Sequence, residues 1–331
     1  MERRVLPADI KKVFYIKAEE ETDWNYGCKP EERRPLSKYM NFGIVNLDKP
    51  SGPTSHEISV WVKNILNLKK SGHSGTLDPK VTGVLPVALG DATKVSSALQ
   101  NAGKEYVCLM KFHGDVKPEK ILGMMKSFTT VIWQRPPIKS AVARVLRQRT
   151  IYYVDILEHK DRYTLFRVGC EAGTYIRKLC FDLGEVAFCG ANMVELRRSR
   201  VGLFRENDLV TLQDLNDAFY LFTEEGNDSY LYDIIQPIEN VVTHMKQIVI
   251  RDSAVDAICH GANLAANGVL KLHSDIVKED KVAIMTQKGE LVGFGQAFQS
   301  ATKIAKLKSG FIAKTERVVM TRKTYPHWKK E

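Results

Sequence analysis

Apolar positions recur at two spacings along this chain, and the change from one to the other marks out its elements. A short apolar run at 42–47 predicts a strand, which the turn-rich Asp48-Lys49-Pro50-Ser51-Gly52-Pro53 ends. Thr54 with Glu57 fits a capping box, and Ile58, Trp61, Val62, Ile65 and Leu66 then recur at helical spacing. A glycine-rich loop over 70–83 separates that helix from the apolar run 84–89, and a second helix is predicted over 92–100. Strands are predicted at 105–112, 150–158 and 163–170, the last two joined as a hairpin by residues 159–162. A helix over 175–186, a strand over 193–201 and a helix around 212–222 follow.

After about residue 245 the pattern changes. Short segments rich in Val, Ile, Ala and Gly, such as 282–286 and 291–297, alternate with turn signals and predict a small β-rich second domain. Residues 1–40 are highly charged, contain Pro30 and Pro35, and read as an extension packed on that second domain. The expected division is an extension over 1–40, a first domain over 41–240, a second over 245–322 and a basic tail over 323–331. Two domains also fit 331 residues at roughly 150 per domain.

Composition narrows the class. The chain is 44% hydrophobic, which excludes disorder throughout. No window approaches the roughly 18 uninterrupted apolar residues of a membrane span. The first ten residues carry charges and no apolar core, so no secretory signal is read and a cytoplasmic protein is expected. The six cysteines include no Cys-x-x-Cys pair and are expected as reduced thiols; the eight histidines show no metal-ligand spacing, so no metal is expected.

Charge changes the picture further. Lys and Arg number 49 against 39 Asp and Glu, a net charge of +10, and the excess is segregated. Residues 206–233 hold eight acidic residues and no Lys or Arg. Basic residues gather in three stretches: 134–149, with Arg135, Lys139, Arg144, Arg147 and Arg149; the group Arg197, Arg198, Arg200 and Arg205; and the segment from Lys303 to Lys330. Clustered cations attract phosphate by counterion release, which points to nucleic acid. A membrane surface is disfavoured, because no strongly amphipathic basic helix accompanies the charge.

The candidate chemistry lies in Ser71-Gly72-His73-Ser74-Gly75-Thr76-Leu77-Asp78-Pro79-Lys80-Val81-Thr82-Gly83. Three glycines permit tight backbone around one carboxylate, Asp78. An Asp before Pro is ordinarily a turn or cap residue, so the loop alone assigns nothing.

The loop resembles the signature of the TruB and dyskerin branch of RNA pseudouridine synthases, and other segments resemble that family's motifs in the same order. These are Lys49-Pro50-Ser51-Gly52-Pro53-Thr54-Ser55, Lys104-Glu105-Tyr106, Gly173-Thr174-Tyr175-Ile176-Arg177-Lys178-Leu179 and Val194-Glu195-Leu196-Arg197-Arg198. The catalytic resemblance covers roughly residues 40–235. Residues after about 245 resemble a PUA RNA-binding domain, with Cys259-His260-Gly261-Ala262-Asn263-Leu264 the best local match. Gln134-Arg135-Pro136-Pro137 and the charged leader resemble the archaeal dyskerin-like members.

The resemblance implies an α+β fold, a pseudouridine synthase catalytic domain with a mixed or antiparallel central sheet plus a small β-rich PUA domain. It implies isomerisation of uridine to pseudouridine in RNA, which breaks N1–C1′, turns the uracil and joins C5 to C1′. No redox step or net hydrolysis is involved, so no cofactor is implied. Asp78 would be the catalytic carboxylate, attacking C1′ or abstracting a proton after glycal formation, and the sequence does not choose between the two. Arg177 would hold that carboxylate, Tyr106 would stack on the flipped base, Leu196 would line the pocket opposite it, and His73 would help displace the base. Lys49 would position the loop or contact RNA. Arg144, Arg147 and Arg149 would touch phosphates, and Gly261 and Ala262 would serve the PUA domain's RNA contact.

Stand-alone TruB enzymes carry an insertion that grips the tRNA T-loop, and nothing comparable is evident between residues 116 and 130. That favours the catalytic subunit of a box H/ACA ribonucleoprotein, with guide RNA, rRNA targets and small H/ACA accessory proteins as partners. Unguided action on the T-loop uridine of tRNA also fits the kinship. The rivals are a non-catalytic RNA-binding scaffold of the same fold, against which Asp78, Tyr106 and Arg177 argue, and a base-releasing glycosylase.

Overall fold

The computed structural model describes residues 5–32, 35–136 and 142–327; Pro137, Lys139 and Lys330 of the motif and basic stretches lie outside them. The chain runs through β1 (Phe14–Ile16), α1 (Leu36–Phe42), β2 (Gly43–Lys49), α2 (Ser55–Ile65), β3 (Ser71–His73), β4 (Thr82–Leu89), α3 (Ser96–Gln100) and β5 (Lys104–Phe112). It continues with α4 (Pro118–Phe128), β6 (Val131–Gln134), β7 (Arg147–Lys160), β8 (Tyr163–Cys170), α5 (Ile176–Ala187), β9 (Ala191–Val201) and β10 (Phe204–Arg205). Helices α6 (Leu212–Glu225) and α7 (Ser229–Ile234) lead to β11 (Ile235–Pro237). The last part comprises β12 (Lys246–Ile250), α8 (Asp252–Cys259), β13 (Leu264–Ala265), β14 (Val269–His273), β15 (Lys281–Met285), β16 (Leu291–Ala297), α9 (Ala301–Lys306) and β17 (Phe311–Val318).

Ten strands form the first sheet, in the order β11-β2-β4-β9-β5-β8-β7-β6, with β3 paired to β4 and β10 to β9. The pairing of β4 with β9 is parallel and spans only Thr82↔Arg197 and Gly83↔Arg198. Its other neighbours run antiparallel, so the sheet is mixed, as the resemblance implied. β5 shows why one face carries the core. Lys104, Tyr106, Cys108, Met110 and Phe112 are buried while the residues between them are half-buried, the period of two that a strand with one covered face requires. α5 covers that face with Ile176, Leu179, Cys180, Leu183 and Ala187. Gly184 lets it come close, since a Cβ there would lie 2.1 Å from the Ala191 backbone nitrogen.

On the other side of β2 and β4, α2 buries Ile58, Val62 and Leu66 against Val45, Leu47, Leu85 and Val87. Both bonds of the Thr54–Glu57 capping box are made. Trp61, placed in the apolar stripe by its spacing, is instead exposed.

The second sheet has the order β1-β14-β12-β15-β16-β17-β13, so the N-terminal segment contributes its edge strand. Farther along that segment, Thr22 Oγ1 donates to Asp252 at 2.8 Å and Lys288 Nζ donates to the Asp23 carbonyl at 2.6 Å. A shared apolar core joins the two sheets: Ile44, Val84 and Val201 of the first, with Leu99 of α3, meet Val249, Met285 and Leu291 of the second and Val319 just after β17.

Several elements differ from expectation, among them β6, α7, α8 and α9, which were not predicted. β3 lies inside the segment read as loop, because its alternation is too short to register. α1 occupies residues expected to belong to the extension. α4 was not predicted, although Pro118 opens it and Ile121, Met124 and Met125 are its buried residues.

Candidate active site

The upstream motif and the aspartate loop are two halves of one structure. Asp78 lies between β3 and β4, flanked by Leu77 and Val81, whose side chains enter the core. The Leu77 N–H donates to Ser55 Oγ at 2.8 Å, Gly52 N–H donates to the Pro79 carbonyl at 2.9 Å, and Val81 N–H closes a turn on the Asp78 carbonyl at 2.9 Å. Lys49 completes the clamp. Its ammonium donates to the carbonyls of Pro50, Pro79 and Val81, each at 2.9 Å, and the residue is 0% exposed. Burial, with the nearby Arg198, holds the Lys49 ammonium below its ordinary pKa. Of the two roles expected for Lys49, positioning the loop or contacting RNA, its burial and three carbonyl partners fit the first.

Arg177 forms an ion pair with Asp78, and both side chains are open to solvent, at 60% and 57% exposure. The pair is therefore reachable by a macromolecular substrate. Arg177 is the second residue of α5, and the start of that helix is set from across the fold. The buried Gln134 side chain accepts from the Tyr175 N–H at 3.0 Å and donates to the Tyr175 carbonyl at 3.2 Å. Before the helix the chain turns at Gly173 (φ +79°), where a Cβ would lie 3.0 Å from the Arg149 guanidinium. Arg149 also faces Glu171 at 3.6 Å and donates to the Gln148 carbonyl at 2.7 Å. Arg149 thus lies half-buried beside this turn. Arg144 is exposed and donates to the Pro136 carbonyl at 3.3 Å, and the half-buried Arg147 pairs in register with Gln134 at the start of β7.

Tyr106 is buried on β5, directly across from Arg198 on β9. Burial pushes the Tyr106 hydroxyl's pKa up, against the charge of Arg198, which acts to lower it. The same guanidinium donates through Nε to the Val84 carbonyl at 2.8 Å and through Nη2 to the Gly75 carbonyl at 3.2 Å. It is 1% exposed. Leu196, half-buried, packs against the core that includes Tyr106, Leu77 and Ile176. His73 ends β3, opposite Val87. Burial, then Arg198 and His56, depress its pKa, which favours the neutral imidazole.

The structure thus gathers Asp78, Arg177, Tyr106 and Leu196 around one core and sets His73 beside Arg198. Sequence reasoning missed Ser55, Gln134 and the buried role of Arg198. Ser55 and Gln134 stood within motif segments but with no role assigned, and the signal of Arg198 pointed elsewhere: the four arginines at 197–205 read as a phosphate-binding stretch. Instead Arg197 grips both Asp48 oxygens at 3.0 and 3.1 Å and pairs with Glu206, Arg200 chelates Asp9, and Arg205 reaches Asp9 at 3.4 Å. Gly261 and Ala262 form an exposed turn after α8, remote in the second sheet, with Gly261 at φ +88° and the Ala262 carbonyl accepting from Thr315 Oγ1 at 2.6 Å. Among the described residues no three His, Cys, Asp or Glu side chains could hold a metal ion, and no helix is long and apolar enough to cross a membrane.

Comparison with known proteins gives this geometry a context. The family model for the N-terminal domain of TruB pseudouridylate synthases matches residues 63–176, and that for the tRNA pseudouridylate synthase B C-terminal domain matches 177–243. A PUA domain matches 246–319 and a DKCLD domain 4–59. A probable tRNA pseudouridine synthase B of Archaeoglobus fulgidus is 53% identical over 96% of this chain and 97% of its own. Its namesake in Thermococcus kodakarensis is 53% identical over 99% and 98%. Among solved structures, a Cbf5-Nop10-Gar1 complex matches at a TM-score of 0.95 and 52% identity, covering 98% of this chain and 99% of that one. An H/ACA ribonucleoprotein bound to a substrate RNA containing 2′-deoxyuridine matches at 0.91 and 50%, with the same coverage.

Proposed function

The chain belongs to the TruB family of pseudouridylate synthases, and from that premise we propose that it isomerises uridine in RNA with Asp78 as the reacting group. The observation that carries this reading is the Asp78–Arg177 pair: a solvent-reachable carboxylate on a loop that Lys49, Ser55 and Gly52 clamp from behind. Arg177 keeps the carboxylate aimed. The flipped uracil lies against Tyr106, with Leu196 across the pocket and the neutral His73 assisting displacement of the base. Asp78 attacks C1′ as N1 departs, or takes the sugar proton that gives a glycal. The uracil then turns and C5 bonds to C1′, displacing the Asp78 carboxylate from the ester or, on the glycal route, with Asp78 returning the proton to C2′; the C5 proton is then lost as N1 regains one.

Arg144 and Arg147 meet the phosphates of the target strand, and Gly261 with Ala262 presents backbone to RNA at the second sheet. The substrate follows from the relatives' names and the solved assemblies. We assign a target uridine positioned by an H/ACA guide RNA with small accessory proteins, and the T-loop uridine of tRNA as a second substrate.

The test presents C5-tritiated uridine in two forms, an unmodified tRNA alone and a target paired to an H/ACA guide with accessory proteins. Tritium release from either, with pseudouridine and no free uracil in the digest, is the expected result. Free uracil would mark a glycosylase, and tight binding with no release from either form would leave an RNA-binding scaffold.

A further inference from the structure

The ion pair between Asp78 and Arg177 cannot aim itself. Both side chains are more than half exposed, and such pairs contribute little, because water screens them and ordering the arginine stem costs entropy. Their geometry has to come from the backbone beneath them. For Asp78 that support is the clamp of Lys49, Ser55 and Gly52. For Arg177 it is the start of α5, which lacks local means of holding itself. α2 and α6 each begin with a capping box, whereas Tyr175, which caps α5, makes no side-chain cap bond, and the first turn holds no acidic residue.

Gln134 supplies what is missing. In β6, Val131 and Trp133 are exposed and Ile132 packs against the core, so position 134 falls on the covered face, where an apolar side chain would be less costly to bury. A buried amide is tolerated when its oxygen and its nitrogen are both met. Here one residue meets both. Gln134 Oε1 accepts from the Tyr175 N–H at 3.0 Å, and Nε2 donates to the Tyr175 carbonyl at 3.2 Å. The same carbonyl accepts from the Leu179 N–H at 3.0 Å, the bond that opens the helix. Two bonds to one residue fix its place and its tilt, and Arg177 is two residues further on. The turn before it is held separately by β7: the Glu171 N–H donates to the Thr150 carbonyl at 2.8 Å, and the Thr150 N–H to the Glu171 carboxylate at 3.0 Å. Gln134 adds the tie at the helix start itself.

We propose that Gln134 is a positioning residue for the reaction. By holding both backbone groups of Tyr175 it fixes the first turn of α5, and with it the direction from which Arg177 meets Asp78. It acts through Arg177 and not on the RNA. This deepens the assignment of Asp78 and rests on it.

The test is Gln134→Met, which fills the same space and makes neither bond, alone and combined with Arg177→Lys. The readouts are single-turnover tritium release at saturating target RNA, RNA affinity and urea melts. In the otherwise wild-type protein the substitution is expected to slow the chemical step at least tenfold and leave RNA affinity within twofold. With Arg177→Lys in place it should cost less than threefold, because the guanidinium it aims is gone.

An unchanged rate in folded Gln134→Met would overturn the proposal and leave the amide as a tie between β6 and α5. Equal losses in both backgrounds would do the same, as would a loss of affinity large enough to account for the slower rate. If Gln134→Met does not fold, Gln134→Glu takes its place with the same outcomes; it keeps an acceptor for the Tyr175 N–H and loses the donor to the carbonyl. If Arg177→Lys alone gives no measurable release, a crystal structure of the Gln134 variant decides. A displaced first turn of α5 over an unmoved aspartate loop supports the proposal, and any other arrangement overturns it. An Asp78→Asn control on the same RNA separates the two readings. Release by that control means the assignment of Asp78 fails; no release from it, with wild-type rates for the Gln134 variants, means only the role of Gln134 fails.

Discussion

Replacing Lys49 with methionine removes the ammonium from behind the aspartate loop while keeping the side chain's length. Three carbonyls, of Pro50, Pro79 and Val81, then lose donors that stood 2.9 Å away. Hydrogen bonds to a charged group are worth about 1.5–3 kcal/mol each, so the gross loss is about 5–9 kcal/mol. Against this, the variant no longer buries an ammonium, whose effective cost is also several kcal/mol. The net destabilisation should be about 2–4 kcal/mol, read as a lower midpoint in urea. Two of the three carbonyls follow Asp78 directly in its loop, so the loosening falls on the aim of the carboxylate. If about 2–3 kcal/mol of it appears in the barrier, the single-turnover rate drops by roughly 30- to 150-fold. RNA affinity should hold, because Lys49 has no surface to offer. Tritium release, filter binding at several salt concentrations and urea melts together check this. Unchanged turnover in a destabilised protein would show that the clamp does not aim Asp78. A weaker complex with a shallower salt dependence would show that Lys49 touches phosphate after all.

Two other perturbations follow from the same frame. Gly83 sits at φ +101° with an imagined Cβ only 2.3 Å from the Arg198 carbonyl oxygen, so Gly83→Ala should force β4 off β9 and cost at least about 2–4 kcal/mol; a variant as stable as wild type would contradict the parallel pairing. Burial lowers the Lys104 pKa from 10.5 to about 8. Between those values the unfolded chain holds the extra proton, so this group makes stability rise with pH there, and Lys104→Met should flatten that slope in urea melts run from pH 7.5 to 10.5. A slope unchanged by the substitution would refute it.

Much of the site was legible because its motifs are local and its strands alternate cleanly. The Thr54–Glu57 box needs only three residues of spacing, and both of its bonds are made. Residues 291–297, read from apolar alternation between turns, form β16. The α+β class with a mixed sheet followed from the family resemblance. What sequence could not carry was partnership at a distance. Arg197 meets Asp48 and Arg200 meets Asp9 across the fold, so a run of arginines that looks like free positive surface is largely neutralised. Arg198, between them, points to the other face of β9 and is buried. Lys49 and Lys104 likewise spend their charge on backbone carbonyls, a choice that depends on which turns fold against them. Gln134 is a plain polar residue in sequence and becomes the anchor of α5 only when β6 is placed beside Tyr175.

The central claim is that Asp78 reacts with the target uridine, and the most direct measurement is single-turnover tritium release from C5-labelled RNA by wild type and Asp78→Asn side by side. The substitution keeps the shape of the side chain and removes the nucleophilic charge. The account predicts release by the wild type, none by Asp78→Asn, and equal RNA affinity and melting temperature for the two. Release by Asp78→Asn at a rate near that of the wild type would contradict it.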